Sequence, residues 1–198
     1  MRIKETTIYT FNELSDDAKE TARNEYRKHA FDYEWSEWVI SDAKQILAIF
    51  GVTDANVYFS GFSSQGDGAC FDGYYSYPKG YVDKLEAEYP REYWEQFHKL
   101  AARLQTLQRK YFYGAYASIS LSGRYSHSGT MHFSIGRDGM YASLSTDDED
   151  KLAQILRELA DEIYLMIERE YNYLNSDEQI KEALISNEYE FDVSGHMA

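Results

Sequence analysis

The chain contains one cysteine, Cys70, and two prolines in 198 residues. A single thiol cannot form a disulfide within the chain or supply a zinc site built from several cysteines. Because a protein without disulfides suits a reducing compartment, we expect a cytoplasmic location. Residues 1–5 contain no apolar run, and the longest apolar runs are far too short to span a bilayer. We therefore expect neither a signal peptide nor a membrane partner.

Basic residues are also in short supply. The chain has 20 lysines and arginines against 34 aspartates and glutamates, a formal net charge of −14. Residues 145–198 hold 4 basic and 15 acidic groups, net −11, so most of the imbalance lies there. A field of this sign repels phosphate backbones and anionic membranes, and we expect no direct nucleic-acid binding. Two interpretations stay open: a solvated helix face, or an acidic surface that docks on the basic, nucleic-acid-binding site of another protein.

Tyrosine, by contrast, is abundant. The chain has 19 tyrosines, and 43% of its residues are hydrophobic, which is typical of a globular protein. A chain of this length can bury a core without disulfide or metal staples. Tyrosine combines an apolar ring with a polar tip, so these side chains suit both a core and a contact surface.

Apolar residues at helical spacing, together with capping signals, predict the helices. Ser15 is a good N-cap, and Ser176 with Gln179 forms a capping-box pattern. Pro90 interrupts one helical stretch and suits the first turn of a new helix. The predicted helices begin after Ser15, run over residues 35–50, cover 81–111 with a break near Pro90, begin again at Asp147 as a long acidic helix, and end with a short helix after Ser176.

Alternation of apolar and polar residues predicts the strands. They cover residues 56–62, 70–77, 115–122, 130–135 and 140–145, with short edge strands at 8–11 and 188–193. Alternation of this kind leaves one face buried and one face wet. We therefore predict an α+β fold: an antiparallel β-sheet of about five strands, covered on one face by helices, with a long acidic C-terminal helix. We predict a single α+β domain over residues 1–198, with the acidic helical segment 145–187 packed on it.

A glycine-rich stretch, residues 59–73, connects the first two long strands. Its backbone N–H groups could bind an anion. However, no Gly-Lys-Ser/Thr follows as in a P-loop, and Phe71 occupies the third glycine position of a dinucleotide fingerprint. Asp67 suits either a general base or a turn residue that bonds its own backbone. We expect at least one of its neighbours, Gly66 and Gly68, to have a positive φ.

A second polar stretch, residues 122–129, connects two later strands. Arg124 could hold a carboxylate or phosphate, and His127 could act as an acid or base near neutral pH. If this loop and the glycine-rich stretch lay at the same end of the sheet, Asp67 and His127 would meet. The alternative is an exposed polar hairpin.

Small polar side chains also recur on the wet face of the predicted strands. Rows of such residues leave a flat surface on which another chain or a ligand could lie, although solvent exposure alone also explains them. The residues are Ser118, Ser120, Ser122, Thr130, His132, Ser134, Tyr141 and Ser143.

We expect no metal and no cofactor. The histidines show neither an H-x₃-H nor an H-E-x-x-H spacing. Cys70 lies on a predicted strand, where it is interpreted as a small buried apolar residue. The histidines are His29, His98, His127, His132 and His196.

Three segments, residues 9–19, 59–71 and 123–127, together resemble a family of uncharacterised accessory proteins encoded by bacteriophages. The strongest part is Phe-Ser-Gly-Phe-x-Ser-Gln-Gly-Asp-Gly-Ala-x-Phe, beginning at Phe59. The resemblance implies a small phage protein in the bacterial cytoplasm and transfers no catalytic residue. In its acidic, tyrosine-rich character the chain is similar to anti-CRISPR and anti-restriction inhibitors, including DNA mimics.

Two functional hypotheses follow. The first is a non-enzymatic inhibitor that binds a host bacterial protein with a basic surface, as a monomer or a homodimer. The alternative is an enzyme for a small anionic or nucleotide-like ligand, with Asp67, Arg124 and His127 as its catalytic residues. The binding residues predicted by the first hypothesis are Gln65, Gly66, Asp67, Gly68, Tyr125, Glu158, Asp161, Glu162 and Glu168.

Overall fold

The structure is a computed structural model that describes residues 7–29, 35–139 and 143–198. It confirms the predicted α+β class, with helices on one face of an antiparallel sheet. Six helices, six strands and two 3₁₀ turns are present in this part of the chain. In chain order they are β1 Tyr9–Thr10, a 3₁₀ turn Phe11–Glu13, α1 Asp16–His29, α2 Glu37–Phe50, β2 Val52–Ser60, β3 Gly68–Ser76, α3 Tyr81–Glu88, α4 Arg91–Lys110, β4 Ala115–Leu121, a 3₁₀ turn Ser128–Thr130, β5 Met131–Arg137, α5 Thr146–Leu174, α6 Asp177–Ser186 and β6 Glu190–Phe191.

The chain divides into two compact units. The larger contains Trp38–Glu168, and the smaller contains the described residues up to Glu37 together with Arg169–Ala198. Helix α5 belongs to the larger unit through Glu168 and to the smaller unit from Arg169 onward.

The larger unit contains a four-stranded antiparallel meander in the order β2-β3-β4-β5. The prediction of about five strands is therefore one too many for this sheet. Its last predicted strand, residues 140–145, lies partly outside the described residues, and residues 143–145 are not a strand. Acidic residues follow this segment directly, and they occupy the first turn of α5, which starts at Thr146.

Alternation along the strands separates a buried inner face from a wet outer face. On the inner face, Tyr75 pairs with Ala117, and Ile119 pairs with Phe133. The apolar stripes of α2, α4 and α5 fill this side, and Phe50 of α2 lies 6.3 Å from Phe97 of α4 between ring centroids. Burial of such aliphatic and aromatic stripes is the main stabilising contribution, roughly 1.5–3 kcal/mol for each large side chain.

A buried amide ties α4 to the sheet. Gln108 is fully buried, and its Nε2 donates to the Tyr75 hydroxyl at 2.8 Å and to the Ala115 carbonyl at 2.7 Å. Its Oε1 accepts from the Ala115 N–H at 3.2 Å. Every polar atom of this side chain has a partner, as a buried amide requires.

The smaller unit has a core of its own, and β1 pairs with β6 in a short two-stranded sheet. Both predicted N-caps are confirmed: Ser15 Oγ accepts from the Ala18 N–H at 3.3 Å, and Ser176 Oγ accepts from the Gln179 N–H at 3.3 Å. The core consists of Phe11, Leu14, Ala18, Ala22, Ile180, Leu184 and Phe191.

Candidate functional site

The two loops singled out in the sequence meet at one end of the larger unit's sheet. We call residues 61–67 the glycine loop and residues 122–130 the hairpin loop. Because β3 runs away from the glycine loop and antiparallel β4 returns, both loops lie at the same end. Ser60 Oγ donates to the Ser126 carbonyl at 3.4 Å, which joins the base of one loop to the other.

Gly66 and Gly68 are required for different reasons. Gly66 has a φ of +94°, the left-handed conformation that was expected for at least one of the pair. Gly68 is buried at the start of β3, and a Cβ there would lie 2.6 Å from the Cβ of His127. The hairpin loop can approach β3 this closely only because residue 68 has no side chain.

The Asp67 carboxylate closes the glycine loop. Its Oδ2 accepts from the Ser63 N–H at 2.8 Å and from the Ser64 N–H at 2.6 Å. The Asp67 N–H in turn donates to the Ser64 carbonyl at 3.1 Å. This is the bonding of a turn residue, and Gln65 at the tip of the loop is exposed.

An aromatic stack holds the glycine loop against α5. Phe62 stacks on Phe59 at 5.9 Å and on Tyr164 at 5.6 Å between ring centroids. The Tyr164 hydroxyl donates to the Gly61 carbonyl at 3.0 Å. Burial, and then the charges of Glu168 and Asp67, raise the pKa of Tyr164. Sequence reasoning missed Tyr164, because no local pattern links a helix residue to a loop about a hundred positions earlier.

In the hairpin loop, His127 bonds the backbone around it. Its Nδ1 accepts from the Gly129 N–H at 3.1 Å, and its carbonyl accepts from the Thr130 N–H at 2.9 Å. In the neutral ring, this arrangement leaves the proton on Nε2. Cys70 is buried near this loop, as interpreted from the sequence, and burial raises the pKa of its thiol.

The three residues of the enzyme hypothesis lie in adjacent loops but do not form one network. Among the described residues, no hydrogen bond or ion pair links Asp67, Arg124 and His127 to one another. Arg124 is exposed. Its neighbour Tyr125 is 59% exposed, and its Cδ1 would lie 3.9 Å from a Cβ built on Gly66. The rim formed by the two loops therefore presents a tyrosine ring to solvent.

The acidic residues predicted on α5 differ in their surroundings. Glu158 forms a salt bridge with Arg103 of α4, whose guanidinium lowers the pKa of this carboxyl. Asp161 is exposed, whereas Glu162 and Glu168 are half-buried. Of the four carboxylates, Asp161 is therefore the one placed fully at the surface, and Glu158 contributes to the attachment of α5 to α4.

The outer face of the sheet carries the predicted row of small polar residues. Ser118 and Ser120 of β4 and His132 and Ser134 of β5 are exposed. Ser122 bonds His132, Thr130 lies in a 3₁₀ turn, Ser143 lies in a loop, and Tyr141 falls outside the described residues. Tyr141 is the one tyrosine in the predicted row. Tyr58, Tyr74 and Tyr116 also point outward on this face, because they alternate with inward-facing neighbours.

A cleft of about 530 Å³ lies between α4 and α5, away from both loops. The buried Asp148 lines it and accepts hydrogen bonds from Lys110, Tyr111, Ser145 and Lys151. The Lys110 ammonium, followed by the Tyr111 hydroxyl, holds the pKa of Asp148 well below its usual range. The cations around this cleft are thus already paired within the protein.

Neither a metal cluster nor a membrane span is found in residues 7–29, 35–139 and 143–198. No group of three or more His, Cys, Asp and Glu side chains there could hold a metal ion. None of the helices in these ranges is both long enough and apolar enough to cross a membrane.

Comparison with known proteins identifies one family. No curated protein matches this chain, and no solved structure matches it. A family model described as "Domain of unknown function (DUF8835)" matches residues 35–177. This range contains the whole larger unit and both loops. Since the match covers well over half of the sequence, the chain belongs to the DUF8835 family.

Proposed function

We propose that this protein is a non-enzymatic inhibitor encoded by a bacteriophage, which binds a host bacterial defence or nucleic-acid-handling protein stoichiometrically in the host cytoplasm. One observation carries the proposal: the polar atoms of Asp67 and His127 hold the two loops in shape, while the ring of Tyr125 is left exposed on their rim. The phage origin rests on the resemblance carried by residues 9–19, 59–71 and 123–127.

The construction of the rim favours binding over catalysis. The Asp67 carboxylate, the Phe59–Phe62–Tyr164 stack and the close approach at Gly68 each restrict the loops. A surface ordered before binding loses little conformational entropy when a partner docks. Exposed tyrosines on such a surface are frequent hot spots in protein interfaces.

Charge supports a basic partner. The chain has a net charge of −14, and α5 presents Asp161 to solvent. Complementary charge accelerates association and gives binding a strong salt dependence. Acidic mimicry of DNA is one form that this inhibition would take.

The alternative, an enzyme for a small anionic or nucleotide-like ligand, would require Asp67 to exchange its two backbone donors for a substrate. Asp67→Asn separates the two hypotheses, because the amide oxygen can accept the same N–H groups but cannot act as a base. Inhibition by binding predicts a folded variant with unchanged partner affinity. Catalysis predicts a folded variant with no activity.

The decisive test of the proposal is capture from host lysate followed by affinity measurement. We expect the wild-type protein to retain one host protein in a complex of fixed stoichiometry, measured by light scattering. Tyr125→Ala should weaken binding roughly tenfold or more, as for an interface hot spot. Tyr93→Ala, which removes another highly exposed tyrosine located on α4, is the matched control and should bind as the wild type does. Absence of any complex, or equal binding by the Tyr125 variant, would contradict the proposal.

A further inference from the structure

A carboxylate lies between two exposed tyrosines on the outer face of the sheet. Asp72 of β3 is paired with Asn56, and Tyr58 is paired with Cys70, so Tyr58 is diagonal to Asp72 on the same face. Tyr74 follows Asp72 by two residues and therefore also points outward. The two rings are 42% and 40% exposed.

Neutral groups orient the Asp72 carboxylate. Its Oδ1 accepts from the Asn56 N–H at 3.2 Å and from Asn56 Nδ2 at 2.9 Å, and its Oδ2 accepts from the Tyr58 hydroxyl at 3.4 Å. Asp72 is half-buried, yet no lysine or arginine in the described part of the chain forms an ion pair with it. The charge of Asp72 raises the pKa of Tyr58.

Tyrosine and serine side chains, together with His132, occupy much of the rest of this face. No lysine or arginine occupies an outward position of β2, β3, β4 or β5, all of which the structure describes. Tyr74 stacks on Tyr116 at 5.8 Å between ring centroids, with an interplanar angle of 27°, which orders both rings. Exposed serines of β4 and β5 continue the surface with hydroxyl groups.

We propose that this face binds an arginine side chain of the basic partner protein, with the guanidinium on the rings of Tyr58 and Tyr74 and hydrogen-bonded to Asp72. A guanidinium is planar, always charged, stacks on aromatic rings and matches a carboxylate with two parallel donors. Lysine offers a strongly hydrated point charge and stacks less well. This inference rests on the proposed function, because it assumes that the partner is a protein.

A nucleic acid fits the same face poorly. Tyrosine rings do stack on bases, but single-stranded nucleic acid also needs cations that track its phosphates. The outward positions carry a carboxylate and no such cations. The arrangement of charge therefore favours an arginine-bearing protein segment.

The test is to titrate the full chain separately with an octa-arginine peptide and an octa-lysine peptide at physiological salt. Shifts of the NMR signals of the tyrosine rings during each titration give the affinity. Asp72→Asn and Tyr74→Leu should each weaken octa-arginine binding roughly threefold to tenfold, the range expected for loss of a cation–π or carboxylate contact. Octa-lysine should bind more weakly than octa-arginine to the wild type.

Two matched controls distinguish a defined site from general attraction to an acidic protein. Asp150→Asn removes the same charge from an exposed position of α5, and Tyr93→Leu removes an exposed tyrosine from α4. Both should leave octa-arginine affinity within twofold of the wild type. If Asp150→Asn weakens binding as much as Asp72→Asn does, or if the two peptides bind equally, the inference is wrong. If Asp72→Asn disturbs the fold, the loss of octa-arginine affinity in Tyr74→Leu tests the inference by itself.

Failure of this inference is distinguishable from failure of the proposed function. A host protein whose capture depends on Tyr125 but not on Asp72 would overturn the arginine site and leave the inhibitor proposal intact. Octa-arginine binding that depends on Asp72 and Tyr74, in the absence of any captured host protein, would support the arginine site and contradict the inhibitor proposal.

Discussion

At the scale of single residues, the glycine loop illustrates two separate constraints on the backbone. Gly66 needs its left-handed φ, and nothing but the Tyr125 ring comes within 4 Å of a Cβ built there. Gly68 instead needs empty space, because the backbone and side chain of His127 lie against it. Counting glycines in the sequence cannot separate a conformational requirement from a steric one.

Alanine substitutions should separate these constraints. Gly66→Ala should cost about 1 kcal/mol of unfolding free energy, because only the left-handed conformation is penalised. Gly68→Ala should cost more, about 2–3 kcal/mol, because the hairpin loop must move away from β3. Urea unfolding measures both. Gly80→Ala is the control for the effect of φ alone, because Gly80 has a φ of +78° and no atom lies within 4 Å of a Cβ built there. Gly80→Ala should therefore lower the unfolding free energy by about as much as Gly66→Ala does. A Gly68 variant as stable as the wild type would show that the loop relaxes without cost.

At the scale of the element, the start of α5 depends on a buried carboxylate. The run Asp147–Asp150 has the composition of a solvated helix start, yet Asp148 is buried while Asp150 is exposed. Asp148 joins α5 to Lys110 and Tyr111 at the end of α4. The same acidic run therefore contains a buried carboxylate that attaches α5 to α4, Asp148, and an exposed carboxylate, Asp150.

Asp148→Ala should destabilise the protein by about 2–3 kcal/mol at neutral pH, because the Tyr111 hydroxyl loses its buried acceptor. Asp150→Ala should stay within roughly 0.5 kcal/mol of the wild type, as expected for an exposed position. Urea unfolding at several pH values measures both variants.

The stabilising effect of Asp148 should also depend on pH. Its pKa is lowered in the folded state, so the unfolded chain takes up the proton first as the pH falls. The stability gap between wild type and Asp148→Ala should therefore be complete above the ordinary carboxyl pKa of about 4 and should shrink as the pH falls below it. A gap that stays constant down to pH 2 would contradict this assignment.

At the scale of the whole molecule, the larger unit contains all the elements needed for a domain. It is continuous in sequence, and it has its own sheet and an apolar core supplied by α2, α4 and α5. The family match, residues 35–177, encloses this unit completely. We therefore expect a fragment of residues 35–177 to fold alone, with a cooperative thermal transition by circular dichroism and dispersed NMR signals. A fragment that lacks a cooperative transition would show that the rest of the chain is required for folding.

Periodicity and capping signals in the sequence were sufficient to predict the α+β class. The alternation around Ala117 and Ile119, the helical stripe of α2 and the caps at Ser15 and Ser176 all appear where they were predicted. These features depend on residues within a few positions of one another. Residues 143–145, the described part of the predicted strand 140–145, are not a strand. A short alternating segment does not reveal whether a neighbouring strand pairs with it.

The candidate site could be predicted only in part. The topology of a meander brings the two polar loops to one end of the sheet. The hypothesis that Asp67 and His127 meet required this placement. The sequence allowed Asp67 to be either a general base or a turn residue. The positions of the Ser63 and Ser64 N–H groups, which both donate to its carboxylate, decided between these two roles. The contact of Tyr164 with the Gly61 carbonyl had no sequence signal at all.

The sequence by itself thus determined the acidic charge, the helices and strands, and which face of each is apolar, because these properties come from composition and local periodicity. Only the tertiary structure decided which polar atoms are used internally and which remain for a partner. Glu158 is paired with Arg103, whereas the half-buried Asp72 lies beside Tyr58 without a cation of the described chain. The reason is physical: the pairing of a charge depends on groups that lie far away in sequence and become neighbours only when the sheet and helices pack.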